Sequence, residues 1–194
     1  MVELLLVVAV MTIVLVMAVP SFFNAQRVAR MNGMTREVAT QLRLVRQESM
    51  GQLRAMTFQY NDTNKQIVVI RHAAAGPAVL TGVNYPNNGV VVRTVPLTGG
   101  GLSAAEITYG RPAGVPIAPL GDNTSLTALT GGNLNITFQP DGSVLDAAGA
   151  PVDVALYFYN PRTPLNTAAA ISVLGSAGRV KLWRYLTSAN SYVE

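Results

Sequence analysis

The sequence predicts an α+β chain, a long N-terminal helix followed by an antiparallel β-domain. Three observations carry this. Residues 4–19 are almost unbroken apolar, residues 28–53 repeat their apolar positions at helical spacing, and from Met56 onward strand patterns dominate. The 194 residues suffice for one domain plus an extra element. The composition is 49% hydrophobic and only 12% charged. Part of the apolar excess sits in the first 23 residues. The remainder is a Gly-, Pro-, Thr- and Val-rich body that suits an extracytoplasmic β-domain.

In the first segment, residues 1–23 as a helix span ~34 Å, about the thickness of a bilayer core. Thr12 is the mild exception in the apolar run, and the first basic residue is Arg27. Glu3 stands at the mouth of that run without a nearby cation, and such an acid is costly in hydrocarbon unless paired or held at the interface. There is no basic start and no small-residue cleavage site, so the segment does not read as a removable signal peptide. The positive-inside rule would place Arg27, Arg30 and Arg36 in the cytoplasm. A basic leader preceding Met1 would reverse that orientation. Pro20 removes a backbone donor and should bend or locally melt the helix.

In the second segment, Val28, Met31, Val38, Leu42, Val45 and Leu53 recur at three, four and seven residues, with Thr35 and Ser49 as weaker members. The other face carries Arg27, Arg30, Arg36, Glu37, Arg43, Arg46 and Arg54, six arginines against two acids once Glu48 is counted. The plain interpretation is a solvated basic face; the sharper one is contact with acidic neighbours or phosphate. The helix should end near residues 51–55, with Gly33 as a second weak point.

The third segment contains strand signals at residues 56–60, 66–70, 90–95, 134–139, 154–159, 170–174 and 179–184. Asn61-Asp62-Thr63-Asn64 and Pro140-Asp141-Gly142 are turn signals. Residues 73–88 and 98–133 are long, turn-prone excursions with room for one or two short strands. The expected organisation is a transmembrane helix over 1–26, an amphipathic stem over 27–55 and a β-domain over 56–194.

Little in the chain supports catalysis. There is no cysteine, so disulfides, thiolate sites and a cysteine nucleophile are excluded. The single histidine, His72, follows a strand with no carboxylate close in sequence. Gly-x-Ser-x-Gly is absent, and Gly99-Gly100-Gly101 lacks the downstream residues of a phosphate loop. Asp122-Asn123-Thr124 offers oxygens for calcium, but three residues do not make a site. No catalytic residue, metal site or cofactor is expected, nor a small-molecule substrate.

Met1-Val2-Glu3-Leu4-Leu5-Leu6 followed by Ala18-Val19-Pro20-Ser21-Phe22 resembles the N-terminal methylation segment of type IV pilins and type II secretion pseudopilins. The resemblance implies a leader removed by a prepilin peptidase, with the leader and the first two mature residues preceding Met1. It matches Glu3 to the family's acidic assembly residue and Pro20 to its helix-bending proline. In an assembled filament Glu3 could pair with a neighbour's N-terminal amine. Within the superfamily the chain is similar to the GspH/FimT group. The similarity rests on the stem at residues 35–48, on Ile136-Thr137-Phe138-Gln139-Pro140-Asp141-Gly142, and on Ile171-Ser172-Val173-Leu174-Gly175 with Gly178-Arg179-Val180-Lys181. It fails over residues 73–133. The group's fold is a long helix packed on two antiparallel sheets.

That resemblance implies a minor pilin or pseudopilin anchored in the bacterial inner membrane, with a periplasmic C-terminal domain. Its partners would be other pilins, the peptidase and the assembly platform, in either a pilus or a pseudopilus. A second expectation concerns the basic strand. Arg179, Lys181 and Arg184 lie there with Trp183 and Tyr185 interleaved, and Gly178-Arg179-Val180-Lys181 resembles a motif linked in the FimT branch to DNA capture during natural transformation. Lysine at 181 keeps the charge but loses the bidentate fork. The plain alternative is a β-edge guarded by charge. Alternation puts Arg179, Lys181 and Trp183 on one face and Val180, Leu182 and Arg184 on the other. The net charge of +4 permits polyanion binding without demanding it.

Overall fold

The computed structural model describes residues 2–73, 89–118, 126–146 and 148–194, without the side chains at 4–6, 13–18 and 20. Residues 74–88 of the first expected excursion, and Asp122-Asn123-Thr124 in the second, lie outside the described residues.

Helix α1 runs unbroken over Val2–Gln52. It continues through position 20, so the local melting expected there is not found. Gly33 does not interrupt it either, and a Cβ at that position would meet nothing within 4 Å. The helix ends where the stem pattern predicts. Leu53 takes the left-handed conformation with φ 51°, and the amide of Arg54 returns to the carbonyl of Ser49. A residue just past a helix end commonly adopts this conformation, though usually as glycine. Its side chain is turned out of the stripe and is 67% exposed. Leu53 is therefore not part of the buried face, a correction to the periodic reading. In its place Met34 and Ala39 join Met31, Val38, Leu42 and Val45 in the core.

Two antiparallel sheets follow. The first has the order β3-β2-β1-β5, built from β1 (Met56–Asn61), β2 (Gln66–His72), β3 (Gly89–Pro96) and β5 (Asn133–Phe138). The second has the order β4-β6-β7-β8-β9, from β4 (Thr108–Tyr109), β6 (Val154–Tyr159), β7 (Ala169–Leu174), β8 (Arg179–Leu186) and β9 (Ser191–Val193). A 3-10 turn at Ala104–Glu106 and a short helix α2 at Pro164–Thr167 fill the connections. All seven strands expected from sequence are present; β4 and β9 are additional. The fold is thus a long helix packed on two antiparallel sheets.

Period-two alternation puts one face of each sheet against the helix. Met56, Phe58, Tyr60, Ile67 and Val69 from the first sheet meet Leu156, Phe158, Ile171 and Val173 from the second around the α1 stripe. Tyr60, Tyr109 and Phe158 close the seam between the sheets, with ring centroids 5.2–5.6 Å apart. The outer face of the second sheet has its own cluster, in which Tyr157, Tyr185 and Tyr192 pack with Ala155 and Ala170. At the edge of the first sheet, β3 slips register between Val69 and Ile70, leaving Val92 as the extra residue. Such bulges twist an edge away from unwanted pairing.

Candidate functional site

Two surfaces carry the residues singled out by sequence. The first is the N-terminal half of α1. Glu3 lies in the first helical turn, where a negative charge complements the helix dipole. It is exposed, and no cation pairs with it among the described residues. Beyond it Val7, Val8, Val10, Met11, Val19, Phe22 and Phe23 are exposed. Among the described residues no helix is long and apolar enough to cross a membrane. The transmembrane expectation for 1–26 includes side chains outside that set.

The second surface is β8. Its alternation places Arg179, Lys181 and Trp183 on the outer face, while Val180 and Leu182 pack inward on the core. Arg184 follows the inward phase, so the three cations do not share one face. Arg179 is exposed. Lys181 is committed twice, by an ion pair with Glu194 and by stacking over the Trp183 ring at 4.9 Å. The Trp183 indole donates to the Ser172 hydroxyl at 3.1 Å. Edge protection also has support in this strand: β9 pairs only with residues 184–186, so β9 leaves residues 179–183 uncovered.

Three of the six stem arginines reach carbonyls of the β-domain, whereas Arg36 is exposed and Arg27 bonds to Asn24 on its own helix, as the solvated face predicts. Arg30 donates to the carbonyl of Gly101 at 2.7 Å. Arg43 donates to the carbonyl of Val180 at 3.4 Å, and Arg54 to that of Ala73. Arg46 lies where two turns of the domain converge. A Cβ on Gly142 would come within 3.1 Å of its Nε, and a Cβ on Gly178 would come within 2.8 Å. Gly142 and Gly178 also touch each other, because a Cβ on Gly178 would fall 1.8 Å from the carbonyl oxygen of Gly142. Both glycines have positive φ, 82° and 59°. The Pro140-Asp141-Gly142 turn is sharpened by the Asp141 carboxylate, which accepts from the Ser143 amide and hydroxyl. Those hydrogen bonds hold the Asp141 carboxyl below its ordinary range. The two turns thus pack closely against each other and against the Arg46 side chain on the stem.

His72 is buried and shares a hydrogen bond of 2.9 Å with the Thr57 hydroxyl, which in turn meets Thr137 at 2.8 Å. Burial lowers the imidazole's pKa. The network continues along the β1–β5 pair, with Gln59 donating to Asn135 and Asn61 to Asn133. This polar ladder was not singled out from sequence. Its signal was present, as Thr57-x-Gln59-x-Asn61 faces Asn133-x-Asn135-x-Thr137 at strand period. Among the described residues no group of three or more His, Cys, Asp or Glu stands close enough to hold a metal ion.

No family model matches this chain, and no curated protein matches it. Among solved structures, it is similar to the type IV minor pilin FimU of Pseudomonas aeruginosa strain PAO1 in two crystal forms. The first is 16% identical and covers 78% of this chain and 87% of that one, with a TM-score of 0.47. The second is 14% identical and covers 78% and 90%, with a TM-score of 0.46. The fold assignment rests on the topology described above.

Proposed function

We propose that this chain is a structural subunit of a pilin-like filament, either a type IV pilus or a type II secretion pseudopilus. The observation that carries the proposal is the division of one 51-residue helix into two environments. From Met31 onward its apolar stripe is sunk in the β-domain, whereas the described apolar side chains before residue 24 are exposed. Among the described residues, nothing covers this apolar rod tipped by an acid. A bilayer before assembly and the rods of neighbouring subunits after it would provide that cover. Glu3 would then be the assembly contact, opposite a neighbour's terminal amine, and Pro20 would adjust the rod on packing. A prepilin peptidase, an assembly platform and the inner membrane, with the β-domain in the periplasm, belong to the same proposal.

The test is an epitope-tagged chain, expressed with a prepilin leader beside its partner pilins, and an immunoblot of filaments sheared from the cells. The tag is expected in that fraction. Glu3→Ala should keep the chain in the membrane and cut its incorporation at least tenfold. Normal incorporation of the variant would remove Glu3 from assembly, and absence of the unsubstituted chain from filaments would overturn the structural role.

DNA capture through Arg179, Lys181 and Arg184 receives less support from the geometry. One of the three is paired with Glu194, and another points to the opposite face.

A further inference from the structure

A groove of about 330 Å³ lies between the stem and the loop that follows β3. Its walls include Arg30, Gly33, Met34 and Glu37 on the helix and Pro96, Leu97 and Leu102 on the other side. Gly33, Gly99 and Gly100 contribute no side chain, so the space between helix and loop stays open. Arg30 is held at the rim by its bond to the Gly101 carbonyl. A groove floored by Met34, Leu97 and Leu102, with the Arg30 guanidinium and the Glu37 carboxylate along it, is suited to an aromatic ring, which gains burial and a cation–π contact with Arg30 together.

The chain itself presents such rings. Among the described residues Phe22 and Phe23 are the exposed aromatic side chains, 66% and 51% accessible, and they meet edge to face at 6.3 Å. They cannot enter the groove of their own chain. Eleven residues separate Phe22 from Gly33, which on one continuous helix is ~16 Å. Eleven residues are also about three full turns, so the rings and the groove lie on the same face of α1.

We propose that the Phe22–Phe23 pair of one copy seats in the groove beside Gly33 of the next copy. This rests on the filament reading above and specifies one of its contacts. Because knob and groove share a face, the second copy must be turned toward the first and shifted along the helix by ~16 Å. The two patches differ, so the contact is heterologous. A rotation combined with an axial shift does not close, and it propagates as a filament.

The absence of native cysteine makes the contact directly testable. Phe22→Cys and Gly33→Cys are combined in the full chain, expressed with its leader, and oxidised in membranes and in sheared filaments. Position 22 is exposed and a Cβ at 33 is unobstructed, so both cysteines are compatible with folding. The two sites are too far apart within one chain to join. A ladder of disulfide-linked multimers on a non-reducing gel is the expected result. A Phe22→Cys, Gln47→Cys pair, on a similar face but too high on the stem, should give at most a tenth of that yield. General chemical crosslinking of the unsubstituted chain reports assembly independently. Multimers by that measure without a 22–33 ladder would overturn this contact and leave the filament reading standing. No multimers by either measure would overturn both. A 22–33 variant that links only to a different polypeptide would overturn the assignment of a second copy as occupant.

Discussion

The two halves of α1 form one continuous helix and have opposite surroundings. Leu42 and Val45 are wholly buried by the sheets, whereas Val7, Val8 and Val10 have about half of their surface open. Apolar content and its pattern both separate them: residues 2–26 carry 19 apolar side chains and are apolar all round, while residues 27–52 carry 10, confine most of them to one stripe and place arginines on the other face. A stripe is satisfied by one covering layer, and a rod needs cover on every side. On the filament reading, the first half is the part of the chain that partners would cover.

The largest expected effect sets the halves against each other directly. In full chain solubilised in detergent, Leu42→Ala should lower the unfolding free energy by about 2–5 kcal/mol, as for other truncations of buried leucine. Val10→Ala should change it by less than ~0.5 kcal/mol. Urea unfolding followed by tryptophan fluorescence at Trp183 measures both. Equal losses would mean that the N-terminal half is part of the domain core.

Next comes the close packing of the two glycine turns beside the stem. Gly178→Ala places a methyl against the Gly142 carbonyl in a backbone conformation that disfavours it, and should cost on the order of 2 kcal/mol or more. Gly33→Ala, in open space on the same helix, should be neutral or slightly stabilising. A stable Gly178→Ala protein would remove the tight turn-to-turn contact from the account.

The polar ladder gives a smaller effect with a defined sign. Burial depresses the His72 pKa in the folded state, while the unfolded chain takes up its proton near the ordinary value of 6.5. The unfolded state therefore binds more protons just below that pH. Stability from this group is complete above about pH 6.5 and falls as the pH drops toward the folded-state value. The urea midpoint should be lower at pH 5.5 than at pH 7.5, and His72→Gln should flatten that dependence. An unchanged slope in the variant would assign the pH dependence to other groups.

The smallest effect is expected on the basic strand. In a DNA titration at two salt concentrations, replacing Arg179, Lys181 and Arg184 together with alanine should alter affinity by no more than about twofold, since few phosphates are engaged. Steep, salt-sensitive binding lost in that variant would restore DNA capture as the chain's role.

Much of this architecture was legible before the structure. The three-and-four spacing located the buried stem, and alternation located seven strands within two residues of their ends. Features held by distant contacts were not legible. Leu53 fits the stripe by spacing, yet the helix ends one residue before it and turns it outward. Arg30 and Arg43 look like surface charges, but their acceptors lie 71 and 137 residues away in sequence. Lys181 appears available until Glu194 folds back beside it. The groove requires Gly33 and Gly100 to face each other across a connection that carries no periodic signal.

The most direct test of the central claim compares cysteine reactivity at two positions of α1 in sheared filaments, which are free of membrane. Val10→Cys should be protected from a water-soluble maleimide, because neighbouring rods cover it, while Gln47→Cys on the exposed side of the stem should be labelled rapidly. Equal labelling at both positions would show that the N-terminal half is not covered by other subunits and would contradict the filament reading.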